Sequence, residues 1–301
     1  MENVERILEL FKEETAVPSI VLTTERRENI AIPDSKFGGV PYWPKDYAYP
    51  TCSRGNPLKL LAQLNFAQLP ALENFPVSGI LQFYVLPDES VGLQGWPSPT
   101  KQDTFRVVYH KEILPEESRM TDFPEITWVG EYAEELFPFK GEFLLKGKIA
   151  NCSMPFSSYE FDDVFLMFCQ KQNIESYFEP YFADWQELKK SMTKSEFKEF
   201  DRTQRKMQKL VWTSFSGEAT HQISGHPYFI QKDPRSFDDS IKKYDTLLLA
   251  IGSEYGEDDN KNIQEEDEIM WGDAGVANFL INSEDLKNLD FSDVLYTWDC
   301  G

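Results

Sequence analysis

The sequence predicts an α+β fold that is internally duplicated, with two β-rich, mostly antiparallel halves and a helical connector. Three observations predict it. Short blocks recur in the same order along the chain. Gly38-Gly39-Val40-Pro41-Tyr42-Trp43 returns as Ser224-Gly225-His226-Pro227-Tyr228-Phe229, and Leu60-Leu61-Ala62-Gln63-Leu64 as Leu248-Leu249-Ala250-Ile251. Gly79-Ile80-Leu81-Gln82-Phe83-Tyr84-Val85 is matched by Gly275-Val276-Ala277-Asn278-Phe279-Leu280-Ile281, and Val107-Val108-Tyr109 by Val294-Leu295-Tyr296. Four blocks in one order argue for a structural unit used twice, with Ala62 over Ala250 and Phe83 over Phe279. Second, the apolar period changes to a helical one between the two sets of blocks. Third, 301 residues with 41% hydrophobic and 14% aromatic content can bury a substantial core. The division expected is 1–175 as the first unit with an N-terminal helix, and 176–301 as a helical pair plus the second unit. The two are expected to pack as one compact domain.

Val4, Ile7, Leu8 and Phe11 fall on one face of a helix, which predicts a helix over 3–13. Ser19-Ile20-Val21-Leu22-Thr23 reads as a strand. Residues 33–57 carry Pro33, Gly38, Gly39, Pro41, Pro44, Pro50, Gly55 and Pro57 among aromatic residues, which predicts a fixed, turn-rich connector. Strands follow at 58–65, 79–86, 105–112 and 142–149. Over 176–212, Trp185, Leu188 and Met192 keep a helical period that slips before Phe197, Phe200, Met207, Leu210 and Val211. Thr193-Lys194-Ser195-Glu196 has the form of a capping box at that slip, so two helices are expected to meet near 193. They are expected to serve the second unit as the N-terminal helix serves the first. The second unit then reads as strands at 226–232, 245–252, 275–282 and 293–299. In the last, Tyr296, Trp298 and Cys300 share one face and Thr297 and Asp299 the other. Glu254 to Glu268 reads as a solvated acidic loop. A calcium loop starting at Asp258 would need Gly and Glu where Ile263 and Ile269 stand.

The net charge is -21, from 51 acidic and 30 basic residues. Such a field repels phosphate backbones and anionic membranes, so neither nucleic acid nor membrane is an expected partner, whereas a basic protein is. The four cysteines, Cys52, Cys152, Cys169 and Cys300, are widely spaced, which suits a reduced, cytoplasmic protein. The first residues lack the apolar core of a signal peptide, and no run approaches a membrane span.

No nucleophile elbow, Walker loop, dinucleotide fingerprint or His-Glu-x-x-His motif is present. The three histidines, His110, His221 and His226, have no ligand spacing, so no zinc and no cofactor is predicted, and no catalytic set is assigned. The ligand-binding candidates are Lys36, Gly38, Gly39, Trp43, His221, Gly225 and Asp273. Two readings of the Gly-Gly-x-Pro-Tyr turns stay open. The glycines could form a backbone nest for an anion with Lys36 as cation, or a tight turn whose aromatics seal a sheet. Asp273 stands out because its counterpart segment, Phe75-Pro76-Val77-Ser78, has no carboxylate.

Ser35 to Pro44, Leu60 to Phe66 and Gly79 to Tyr84, with Gly225 to Arg235, Trp271 to Phe279 and Asp290 to Cys300, carry a resemblance across nearly the whole chain. They are similar to the YwqG-like family of bacterial proteins of unknown function. Ser224 departs from that pattern, which tends to glycine there. The resemblance implies a cytoplasmic, duplicated α+β fold and brings no activity or catalytic residues. Some members look linked to contact-dependent toxin systems, which implies an immunity-like role. The leading expectation is a non-enzymatic binding or interaction protein that neutralises a basic partner. The alternative is an enzyme or small-ligand binder with its site in the cleft between the halves, near Lys36, Trp43, His221 and Asp273.

Overall fold

The computed structural model describes residues 2–94, 98–255 and 269–301. Its centre is a long antiparallel pair. β1 (Val17–Arg26) runs against β6 (Glu142–Cys152), with Val17 opposite Cys152 and Arg26 opposite Phe143. On the β6 side follow β2 (Lys36–Gly38), β3 (Lys59–Asn65), β4 (Ile80–Val85) and β5 (Phe105–His110). On the β1 side follow β7 (Gln222–Ser224), β8 (Thr246–Gly252), β9 (Val276–Ile281) and β10 (Val294–Asp299). The result is one ten-stranded sheet in the order β10-β9-β8-β7-β1-β6-β2-β3-β4-β5, antiparallel throughout.

The sheet curls until its two ends meet. Phe83 of β4 lies 4.7 Å from Phe279 of β9, ring centre to ring centre, and Phe105 of β5 lies 5.3 Å from Tyr296 of β10. These rings join one core with Phe37, Phe143, Ile223 and Leu249. The edge strands β5 and β10 do not pair with each other. The segment after β4 spans that gap, where Val91 O accepts from Tyr296 Oη and Ser90 O from Trp298 Nε1, both at 2.8 Å.

Strands β3, β4, β8 and β9 are buried on both faces, which explains their near-continuous apolar runs. β3 bulges at Leu61 and β8 at Leu248, so Phe83 faces Ala62 whereas Phe279 faces Leu249. The expected match of Ala62 with Ala250 is therefore one residue out of register. Ala250 faces Asn278 and stands where Gln63 faces Gln82. The strand expected at 226–232 is replaced by the short β7. Positive φ at Ser224 (61°) and Gly225 (81°) ends the extended run before Pro227, which has no N–H for a ladder. β2 likewise lies inside the stretch read as connector.

The helices are α1 (Glu2–Thr15), α2 (Ala133–Leu136), α3 (Phe161–Gln172), α4 (Glu175–Phe182), α5 (Trp185–Ser191), α6 (Lys194–Phe215) and α7 (Ser283–Lys287). Where a helical pair was expected over 176–212, four helices run from 161 to 215. The capping box forms as read: Thr193 Oγ1 accepts from Glu196 N at 3.3 Å, and Glu196 Oε2 accepts from Thr193 N at 2.8 Å. The apolar run Val164 to Phe168 is helical, and its helix closes on Asn173 in the left-handed conformation. α1 does not serve the first set of strands alone. Phe11 packs edge-on against Phe161, Phe165, Phe168 and Phe215, so α1, α3 and α6 share one aromatic cluster. Among the described residues no helix is long and apolar enough to cross a membrane.

Candidate functional site

The first turn is locked from beneath by side-chain amides. Gly38 and Gly39 hold φ of 65° and 70°, and a Cβ on Gly38 would lie 2.5 Å from the Gly141 carbonyl oxygen. Only glycine fits there without moving backbone. The turn delivers Tyr42, whose N–H donates to Gln63 Oε1 at 2.8 Å. Gln63 Nε2 donates to Ile32 O at 2.7 Å and Asp34 O at 2.8 Å. Gln82 Nε2 donates to Tyr42 O at 2.6 Å and to Gln63 Oε1 at 2.8 Å. Gln82 Oε1 is thereby the acceptor for His110 Nε2 at 2.9 Å, which makes that nitrogen the protonated one. Burial pushes the His110 pKa down to about 4, so the imidazole is neutral at pH 7.

Lys36 lies beside this network, fully buried in β2. Its Nζ donates to Ala31 O at 3.3 Å, and burial lowers its pKa to about 8 against the opposing pull of Glu142 and Asp34. Glu142 lies against Gly39 and accepts from Ile30 N at 3.1 Å. The Gly-Gly turn thus packs on a carboxylate of its own chain. Trp43 donates through Nε1 to Tyr47 O at 3.0 Å and sets its ring edge-on to His110 at 5.0 Å.

His221 sits on the other face, edge-on to Phe37 at 5.2 Å. Its Nδ1 accepts from Gly252 N at 3.2 Å, so Nε2–H donates to Glu254 Oε2 at 3.0 Å. Thr24 Oγ1 donates to the same oxygen at 2.7 Å. The hydrogen bond from His221 holds the Glu254 pKa below the usual carboxylate value. Glu254, read as the start of a solvated acidic loop, is therefore engaged. Residues 256–268 of that loop lie outside the described residues, and with them the calcium test at Ile263.

At the second turn a Cβ on Gly225 would meet Cys152 Cβ at 2.9 Å. Gln222 Nε2 donates to His226 O and Asn278 Nδ2 to Tyr228 O, both at 2.8 Å. His226 Nε2 donates to Thr15 O at 2.9 Å, and burial lowers its pKa. Asp299 accepts from Ile230 N at 3.3 Å and Gln231 N at 2.7 Å, while burial raises its pKa. Arg235 forks onto Asp233 at 2.7 to 3.2 Å, both buried. Sequence reasoning missed this pair, and its local signal was Asp233-Pro234-Arg235, a capped turn that folds the side chains together. Asp273 lies at the chain end, where its carbonyl accepts from Gly301 N at 2.9 Å.

The structure gives the seven candidates different immediate partners. Lys36, Gly38 and Gly39 gather around Glu142. Trp43 stands with His110, His221 with Phe37 and Glu254, Gly225 with Cys152, and Asp273 with Gly301. The cleft expected between the halves is filled by Phe83, Phe279, Phe105 and Tyr296.

Open space lies elsewhere. Two adjoining grooves of about 770 and 820 Å³ run over α3 to α6 and share Leu166 and Phe182. Trp212 lines the first and is 53% exposed; Leu188, Met192 and Phe200 line the second. Asp162, Asp163, Glu175, Glu179, Asp184 and Glu187 border them, with Lys209 the one cation among the described lining residues. Lacking any motif, this surface was invisible to sequence reasoning.

A family model described as a domain of unknown function (DUF1963) matches residues 35–300. No curated protein matches the chain.

Proposed function

This chain belongs to the DUF1963 family, a domain of unknown function, and we propose that it is a non-enzymatic binding protein that docks an apolar, basic segment of a protein partner. The observation that carries this reading is the pair of acid-bordered grooves on α3 to α6. Apolar surface left in water is stabilised by being covered, and a contiguous patch with a polar border is the usual form of an interaction site. The bordering carboxylates favour Lys and Arg and disfavour acidic competitors. The net charge of -21 adds long-range attraction of the same sign preference. The more specific form of the proposal is a YwqG-like, bacterial, cytoplasmic protein with an immunity-like role against a basic toxin. The four free cysteines are in keeping with a reducing compartment.

We further propose that the two runs of strands descend from one duplicated unit with the helices as its connector. Matched bulges at Leu61 and Leu248 support this, as do matched left-handed turns at Gly38-Gly39 and Ser224-Gly225. The paired bonds from Gln82 to Tyr42 O and from Asn278 to Tyr228 O support it further.

Two synthetic helices with the same leucine face test the docking reading, one with a lysine polar face and one with glutamate. The lysine helix is expected to bind and the glutamate helix not. Association should slow as salt rises, because charges are screened within about 8 Å at physiological ionic strength. Leu166→Asp should weaken binding at least about tenfold with the circular dichroism spectrum unchanged. A lysine helix that fails to bind the unaltered protein sinks the reading.

A further inference from the structure

We infer that the cavity beside Ala250 is a binding site for a small molecule bearing a primary carboxamide. The cavity, of about 220 Å³, lies between β1, β7 and β8 and is lined by Ser19, Cys152, Gln222, His226, Tyr228 and Ala250. Its mouth carries the exposed residues Asn151, Glu218 and Thr220. The site is independent of the helical grooves and of the docking reading.

The ligand class follows from comparing two register positions. Gln63 lies between Lys36 of β2 and Gln82 of β4; Ala250 lies between Gln222 of β7 and Asn278 of β9. At the first position a carboxamide fills the space. Its oxygen accepts from Tyr42 N and Gln82 Nε2, and its nitrogen donates to the carbonyls of Ile32 and Asp34. At the second the same backbone surrounds a methyl group. Glu218 and Thr220 stand the same steps before Gln222 as Ile32 and Asp34 stand before Lys36, and both line the cavity. Tyr228 stands the same step after Gln222 as Tyr42 after Lys36, and it lines the cavity too. An alanine offers that N–H no acceptor.

Two further facts favour an outside occupant. Gln222 does not reach in as a substitute, because its Oε1 accepts from Thr220 Oγ1 at 3.1 Å and its Nε2 donates to His226 O. Asn278, directly across from Ala250, donates through Nδ2 to Tyr228 O, while its Oδ1 is buried without a partner. Buried polar atoms are normally satisfied, and the cavity lies against Ala250, the residue paired with Asn278. A primary amide presents an acceptor and two donors in one plane, the set that Gln63 supplies at the other end of the sheet.

The test is titration of the full chain with propionamide and L-glutamine, with propionate and L-glutamate as controls, followed by amide NMR spectra. The two amides should shift the resonances of residues 218–222 and Tyr228, and the two acids should not. Ala250→Gln should place the chain's own carboxamide in the cavity and abolish these shifts, with at least a tenfold loss of apparent affinity. Ala250→Val, which narrows the space without adding an amide, should weaken these shifts if the glutamine variant does not fold. Equal responses to amides and acids would overturn the proposal, as would no response to any of the four. So would a folded Ala250→Gln protein that still responds to propionamide.

Discussion

Beneath the turn at Gly38-Gly39 the register positions Gln63, Gln82 and His110 form one chain of hydrogen bonds in which both amides are fully engaged. Beneath the turn at Ser224-Gly225 the same positions hold Ala250, Asn278 and Asp299. One of these has no polar atom, one is half satisfied, and one accepts only backbone N–H groups. The two turns nevertheless share their left-handed residues and the bond from a β-strand amide to a Tyr carbonyl. The backbone of each end is therefore specified by turn conformation and strand register, and the polar chemistry beneath it is free to differ. The first end has spent its polar groups on itself. The second end has a cavity.

The largest test of this comparison concerns what the two ends have in common, the apolar contact between them. Phe83→Ala and Phe279→Ala should each cost about 3–5 kcal/mol, since each removes a ring from a sealed core. The rings touch, so the double variant should cost less or more than the sum by about 0.5–3 kcal/mol. Urea denaturation of the four proteins measures this. Additive effects, or a single variant melting within a degree or two of wild type, would mean that the two ends of the sheet are not one core.

A second test separates the ends. Gln63→Ala should destabilise by about 1–3 kcal/mol, because it leaves the Tyr42 N–H and the Ile32 and Asp34 carbonyls without their partner. It copies the alanine that the second end already tolerates. A loss below about 0.5 kcal/mol in denaturant would show that water satisfies the first end as well, and the contrast between the ends would disappear.

Much of this was readable before the structure. Glycines at the two turns, apolar runs for the doubly buried strands and the Thr193–Glu196 box all act locally, and local signals survive in a sequence. Part of what escaped reading was decided by a single step of register. Leu60-Leu61-Ala62 and Leu248-Leu249-Ala250 match by identity, yet the bulges place Ala62 with Leu249 and Gln63 with Ala250. A slip of one residue exchanges the two faces of a strand, so it hid both the amide chain and the cavity. The three-residue strands β2 and β7 are too short to show a period. His221 meets Glu254 beside the β7–β8 pair, and Cys152 meets Gly225 across β1; neither had a sequence signal. Of the candidate residues, Lys36, Gly38 and Gly39 form one neighbourhood, and the others are scattered because each was chosen for its own type.

The smallest effect tests whether both ends bury a neutral imidazole. His110 at the first end is held down to about 4, and His226 at the second is also lowered, in each case first by burial. In an unfolded chain a histidine titrates near 6.5. Between that value and about 4 the unfolded chain binds protons that the folded one refuses, so stability must fall as pH falls through this window. Above about pH 7 neither state is protonated, and the full contribution is present. Each fully refused proton gives a slope of about 1.4 kcal/mol per pH unit. Carboxylates titrate near the lower end of the window, so the measurement is a difference. His110→Gln keeps a donor for Gln82 Oε1 and removes one titrating group. The stability gap between wild type and this variant should stay constant above pH 7 and move in favour of the variant from about pH 6.5 downward. His226→Gln should shift the gap in the same direction, with its size set by how far Thr15 O and Glu160 offset its burial. A gap that does not change with pH would mean that the imidazole takes up its proton in the folded state, and that the hydrogen-bond chain at the first end is open to water.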